Sequence, residues 1–269
     1  MEELIGFVFG VVFGSFLNVV IYRIPKDESI IFPSSHCPKC GHKLKFYQNI
    51  PLFSWIFLGG KCAFCKSKIS FEYPIIELVS GLVVMSVVHK YSLTLPALFA
   101  SLSFLMLIAL SMIDFKYKMV PDSLNLLAIL FAILSGGTFA GIFENLKNAL
   151  LFAGGFTLLR FALSYYLTSG VYRAGLKTKT SWNRHYDRTP MIEAMGEGDI
   201  MVAATMGALL GLKLGLIAVF LSALLAMPVM MMVRNRPPEE QRVPFVPFLA
   251  MATFIAFMFE QKLLQFAGL

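Results

Sequence analysis

Apolar residues along this chain gather into long runs instead of alternating with polar ones. The runs occupy roughly 4–22, 74–88, 95–113, 123–141, 146–168, 200–212, 214–233 and 244–264. Runs near 20 residues match the ~30 Å hydrocarbon core of a bilayer at ~1.5 Å per helical residue. They predict an all-α fold, a polytopic helical bundle of about eight spans. As one helix, 200–233 would reach about 50 Å, too long for a single crossing. Gly211, Lys213 and Gly215 interrupt its middle, so it reads as two short spans joined by a tight turn. Polar stretches follow the first run, at 23–73, and the fifth, at 170–198. The expected division is a first span at 1–22, a cysteine-bearing domain at 23–73, and a transmembrane core at 74–269 with the loop 170–198. No internal repeat or low-complexity segment stands out.

Composition agrees. Of 269 residues, 57% are hydrophobic and 14% charged, against about 25% charged in a soluble domain. Mean hydropathy is +0.72. A soluble globule of this size cannot hide so much apolar surface, and disorder is excluded on the same grounds. The net charge of +7 raises the question of nucleic acid, but the basic residues sit in the gaps between apolar runs. With the N-terminus outside, eighteen of 23 Lys and Arg residues fall on one face; Lys90, Lys147, Lys213 and Lys262 fall on the other, and Arg160 lies within a span. The positive-inside rule makes the basic face cytoplasmic. The expected environment is membrane lipid, with no nucleic-acid partner. The first run opens with Glu2 and Glu3, lacks a basic n-region and shows no A-x-A site. It is expected to be a retained span, not a signal peptide.

All four cysteines lie in the first polar stretch, as Cys37-Pro-Lys-Cys40 and Cys62-Ala-Phe-Cys65. Each C-x-x-C turn lets two thiolates share one metal, and four thiolates close a tetrahedral shell of the structural zinc type. A cytoplasmic loop is reducing, which argues against disulfides; a redox pair or free thiols are the alternatives. With four sulfurs available, His36 and His42 are expected to be bystanders. The loop has little apolar material, so metal binding would supply much of its folding energy.

Ionisable groups at span edges are candidates for function. Asp114 ends the third run, and Asp199 opens the sixth behind Gly196-Glu197-Gly198. Both map to the basic face. Paired carboxylates suit amide hydrolysis: one takes a proton from water, the other donates to the carbonyl oxygen, and the pair titrates as a unit. Gly196 and Gly198 would let backbone come close to an extended substrate. The plainer reading is a helix end and a loop-to-helix turn. Asp122 is expected to cap the fourth run, and Arg160 to snorkel. Glu77, in the first turn of the second span after Pro74, is expected to pair with the helix dipole, a place in a polar site being the alternative.

Several segments together resemble the bacterial type IV prepilin peptidases, aspartic proteases with a G-x-G-D motif. They are Gly14-Ser15-Phe16-Leu17-Asn18 through Arg23-Ile24-Pro25, Pro51-Leu52-Phe53-Ser54-Trp55, Tyr73-Pro74-Ile75-Ile76-Glu77, Ile113-Asp114 with Val120-Pro121-Asp122, Met195-Gly196-Glu197-Gly198-Asp199, and Val243-Pro244-Phe245-Val246-Pro247-Phe248. The resemblance implies an inner-membrane enzyme that removes the basic leader from prepilins or pseudopilins at the cytoplasmic edge, with Asp114 and Asp199 as its catalytic pair. It further implies N-methylation of the new N-terminus from S-adenosyl-L-methionine, for which Asn18, Arg23 and Glu77 are the candidate residues, and association with pilus or secretion machinery. The chain departs from the family at Glu72, where arginine is usual, at Met201, where lysine is usual, and in a linker between the aspartates longer by about twenty residues. Two alternatives stay open: a leader peptidase without methyltransferase activity, and a non-catalytic, zinc-bearing membrane carrier or assembly factor.

Overall fold

The computed structural model describes residues 1–173, 196–233 and 243–268. Residues 174–195, which hold most of the polar stretch 170–198 and of the longer linker between the aspartates, lie outside them, as do 234–242. The described residues form helices α1 (Glu2–Arg23), α2 (Phe53–Phe57), α3 (Glu72–Tyr91), α4 (Leu95–Tyr117), α5 (Asp122–Leu134), α6 (Phe139–Arg173), α7 (Glu197–Val233), α8 (Val246–Met258) and α9 (Glu260–Phe266). No β-strand longer than an isolated bridge occurs among them.

Among the described residues, five helices are long and apolar enough to cross a membrane: α1 with its short extension to Lys26, α3, α4, α6 and α7. The bent pair α8–α9 makes a sixth if it counts as one span, and α5 is a shorter apolar helix. Two boundaries differ from the periodicity reading. The turn between the fourth and fifth runs falls at 135–138, not near 142–145, because Gly137 takes φ +72 and Thr138 Oγ1 accepts from the Gly141 N–H at 3.1 Å. The last run bends by 92° after Met258, where Lys90 Nζ donates to the Phe257 carbonyl and pairs with Glu260. The expected break in 200–233 is present: Gly211 has φ +71 and ψ −175, a conformation that suits glycine.

Close approach of helices depends on missing side chains. A Cβ on Gly10 would lie 2.5 Å from the Ser80 carbonyl oxygen, and one on Gly14 would lie 2.8 Å from the Glu77 Cα. Gly6 faces Val88 in turn. Numbers rise along α1 as they fall along α3, so the two run antiparallel along a small-residue seam of the kind that lets apolar helices pack closely. The Phe152 ring of α6 lies over Gly207 and Gly215, on either side of the Gly211 break. The buried core is filled by Leu105, Leu110 and Ile113 of α4, Val202 and Met206 of α7, and Leu249 of α8.

Polar groups collect at the two ends of this apolar body. One end holds the Glu3–His89 contact at 2.6 Å and the Lys90–Glu260 pair at 3.1 Å. The other holds the cysteine-bearing segment, the Lys116–Glu72 pair, the Arg160–Glu197 pair at 3.0 Å, Asp114 and Asp199.

Candidate active site

Asp114 lies in the last turn of α4 and is buried. Its Oδ2 accepts from the Val246 backbone N–H at 3.0 Å, and the Phe245 N–H also faces the carboxylate. Val246 is the first residue of α8, whose leading N–H groups have no partner within the helix. Asp114 therefore ends its own helix, but its side chain reaches the N-terminus of another, where an anion is favoured. The proline-rich entry Val243-Pro244-Phe245-Val246-Pro247 carries the signal, since proline in the first helical turn gives up only an N–H without an intrahelical partner.

Asp199 lies in the first turn of α7, and its carboxylate is met by the Gly196 N–H. It sits close enough to Asp114 for the two charges to interact. The two aspartates, 85 positions apart in sequence, are thus brought together at one end of the bundle.

Gly198 explains part of how. A Cβ there would stand 2.5 Å from the Val120 Cβ, whereas one on Gly196 would meet only Asp199 Oδ2, at 3.6 Å. The first turn of α7 is thus seated against the α4–α5 connection. Asn125 of α5 is fully buried and donates to the Gly198 carbonyl at 3.5 Å. Asn125 was not singled out by sequence reasoning, and Val120 entered it only as part of the Val120-Pro121-Asp122 segment. Asn125 was visible only as one amide inside an apolar run. Asp122 begins α5 without making a side-chain cap, Pro121 being the residue before the helix. Arg160 is paired with Glu197.

Asn18, Arg23 and Glu77 are buried where α1 and α3 meet the cysteine-bearing segment. Asn18 Nδ2 donates to the Tyr73 carbonyl at 3.2 Å. The Arg23 guanidinium donates to the carbonyls of Ser29 at 2.8 Å and Pro33 at 2.6 Å. Glu77 Oε2 accepts from the Leu52 N–H at 2.7 Å. It sits in the second turn of α3, which begins at Glu72, so it tethers the loop before α2 instead of pairing with its own helix dipole.

The four cysteine sulfurs converge to within 4.8 Å of one another. Cys37 Sγ lies 3.8 Å from Cys65 Sγ. A tetrahedral shell with metal–sulfur bonds of about 2.3 Å has edges of about 3.8 Å, so the donor set fits one ion. Each knuckle closes through backbone bonds: the Cys37 N–H donates to the His42 carbonyl at 3.0 Å, and the Cys62 N–H to the Ser67 carbonyl at 2.8 Å. The Cys40 N–H pointing at Cys37 helps hold that thiol down to about 6. Cys40 moves up to about 11, because burial and the neighbouring sulfurs outweigh the His42 N–H. His36 bonds the Ser34 carbonyl and His42 lies against the Phe64 ring; neither belongs to the sulfur cluster.

An apolar helical bundle with two interacting carboxylates at one polar end has the equipment of an intramembrane aspartic hydrolase. Residues 8–91 match the bacterial peptidase A24 N-terminal domain, and residues 101–231 match the type IV leader peptidase family. A Pseudomonas aeruginosa relative, a prepilin leader peptidase/N-methyltransferase, is 32% identical over 96% of this chain and 92% of its own length. Relatives of the same name from Neisseria gonorrhoeae, 32% identical over 93% of this chain and 88% of their own length, and from Myxococcus xanthus, 36% identical over 76% and 55%, agree. No solved structure matches the chain. The chain belongs to the type IV leader peptidase family.

Proposed function

We propose that this chain is a membrane aspartic endopeptidase that removes leaders from prepilins or pseudopilins and then methylates the new N-terminus. The observation that carries the peptidase reading is the meeting of Asp114 and Asp199 at the bundle's polar end. In the proposed reaction one carboxylate takes a proton from water as the water oxygen attacks the scissile carbonyl carbon. The other, protonated, donates to the carbonyl oxygen. Collapse of the tetrahedral species breaks the C–N bond, and the departing amine takes up a proton. Val246 and Phe245 hold Asp114 in place from the start of α8, and Gly196 and Gly198 set the turn that presents Asp199.

In this reading the chain crosses the bacterial inner membrane about eight times, with α7 counted as two short spans at Gly211. The basic end, with the cysteine domain at 23–73, faces the cytoplasm. Cys37, Cys40, Cys62 and Cys65 would hold one structural zinc ion, which locks the two knuckles together. Asn18, Arg23 and Glu77 would hold the start of the bundle against this domain for methyl transfer from S-adenosylmethionine.

The test is cleavage of a prepilin by Asp114→Asn and Asp199→Asn variants in lipid nanodiscs. Each is expected to lose at least about 10³-fold in rate, in line with loss of a general acid–base group, with helical content unchanged. Normal leader removal by either folded variant would sink the mechanism and favour a carrier or assembly role. Mass spectrometry of the product with and without S-adenosylmethionine distinguishes a methylating enzyme from a peptidase alone.

A further inference from the structure

Residues Pro51 to Phe57 take no part in the chemistry described above, yet they are held firmly. Trp55 forms the inner side of α2. Its Nε1 donates to the Ile69 carbonyl at 3.4 Å, and its ring meets Phe71 edge-on with centroids 5.1 Å apart. A Cβ on Gly60 would stand 2.8 Å from the same ring. Phe53 and Phe57 are four residues apart and so share one helix face; their rings stack with centroids 6.5 Å apart. With Ile56 they stay outside the fold, Phe53 at 61%, Ile56 at 65% and Phe57 at 83% exposure. Tyr47, Ile50 and Leu58 continue this face, lining with Phe53 and Phe57 an apolar hollow of about 300 Å³. Large apolar side chains gathered on the outside of a folded segment mark an interaction surface.

Depth and charge identify what covers this face. The Leu52 N–H donates to Glu77 Oε2 at 2.7 Å, and Glu77 lies five residues into α3, about 7.5 Å along its axis. α3 has 20 residues, about 30 Å, which is the thickness of a hydrocarbon core. Phe53 follows Leu52 directly, so the apolar face begins at the level where this span enters a bilayer. The charge is one-sided. Residues 29–71 hold six lysines, all exposed, and no aspartate or glutamate. Lys45 and Lys61 bracket the apolar face in sequence. Resting on the membrane placement above, we propose that the face formed by Tyr47, Ile50, Phe53, Ile56 and Phe57 docks the cysteine-bearing segment onto the cytoplasmic leaflet, with its lysines on anionic phospholipid headgroups. Apolar side chains at this depth reach the boundary between headgroups and acyl chains, and the lysines meet the negative potential of the leaflet surface. A five-residue helix is too short to bind a bilayer by itself. Its tether to α3 holds it there, and the lysines supply the second attraction. The knuckles thus lie down beside the polar end of the bundle.

The experiment places photoreactive benzoylphenylalanine at position 57 of the full chain in nanodiscs. Leu158, 72% exposed within the α6 span, is the reference position for the same substitution. Adducts formed on irradiation are identified by mass spectrometry. In discs containing phosphatidylglycerol, Phe57→benzoylphenylalanine is expected to capture phospholipid. The yield is expected to fall about three- to tenfold in pure phosphatidylcholine, and likewise when Lys45→Gln and Lys61→Gln are added in the anionic discs. Tyr47→benzoylphenylalanine reads the same face should the first variant not fold. Lipid adducts at Leu158 with none at Phe57, or equal yields at Phe57 in the two lipids, overturn the docking and leave the membrane placement standing. Adducts at Phe57 that form only with an added prepilin, and to the prepilin, assign the face to the substrate and also overturn it. No lipid adduct at either position overturns the membrane placement together with the docking.

Discussion

Gly198 is the most exacting position at the site, and the reason is space. A Cβ added there falls 2.5 Å from Val120 Cβ and 2.9 Å from both of its Cγ atoms. Carbon atoms sit comfortably at about 3.5–4.0 Å, so Gly198→Ala forces the turn and Val120 apart by roughly 1 Å. Val120 cannot yield freely, because it packs against the main core between α4 and α5. Overpacking of this kind costs about 1–3 kcal/mol. The displaced residue next in sequence is Asp199, and a 1 Å misplacement of a reacting group can cost about 10²-fold in rate. Gly198→Ala is therefore expected to lower kcat/KM for prepilin cleavage about 10–100-fold, or about 1.4–2.8 kcal/mol in barrier. Gly196→Ala should be nearly neutral, since its Cβ finds only Asp199 Oδ2 at an ordinary 3.6 Å. Compensation is the sharper assay. Val120→Ala keeps the Cβ that makes the closest contact and should rescue little. Val120→Gly removes the whole obstacle and should recover most of the loss in the double variant, at its own modest cost in loop entropy. Wild-type kcat/KM in a folded Gly198→Ala variant, or strictly additive losses with Val120→Gly, would refute the reasoning.

Other expectations follow from the same geometry. Gly10→Ala places a methyl 2.5 Å from the Ser80 carbonyl oxygen and 2.8 Å from the Gly81 Cα; backbone cannot move aside, so the unfolding midpoint should fall by the equivalent of about 1–3 kcal/mol, while Gly154→Ala, with nothing within 4 Å, should leave it unchanged. Elemental analysis should find one zinc per chain, and chelation should make 23–73 protease-sensitive before the helical core is attacked, because the proposed ion would supply much of that segment's folding energy; full resistance in the metal-free protein would contradict this. Tags at Gly211 and within 118–121 should report opposite sides of the membrane, the second cytoplasmic; the same side for both would break the topology.

Much of this arrangement could be read from the chain because membrane helices announce themselves by composition. Runs near 20 apolar residues leave little choice of secondary structure, and two C-x-x-C turns leave little choice for four thiols. The Asp114 and Asp199 candidates were legible for a related reason: in so apolar a chain, carboxylates at span edges are conspicuous. What could not be read was anything depending on which helices touch. Helix ends moved where a turn residue or a distant side chain, not hydropathy, decided them, as at Gly137 and at the Lys90 contact after Met258. The tether from Glu77 to Leu52 and the placing of Asp114 against α8 both join residues distant in sequence, and local pattern carries no information about either. Gly198 is the clearest case. Its place in a G-x-G-D turn suggested room for a substrate backbone, whereas its missing Cβ is used to seat the turn on Val120. A glycine in sequence says only that a side chain is absent; the structure says what stands in the space. Here that is Val120, which lies in the connection just before α5 and packs against the same core as Leu124, the first buried leucine of that helix. The α4–α5 connection, the core and the turn bearing Asp199 therefore move together, and stability of the bundle is coupled to placement of the second carboxylate through the contact between Gly198 and Val120.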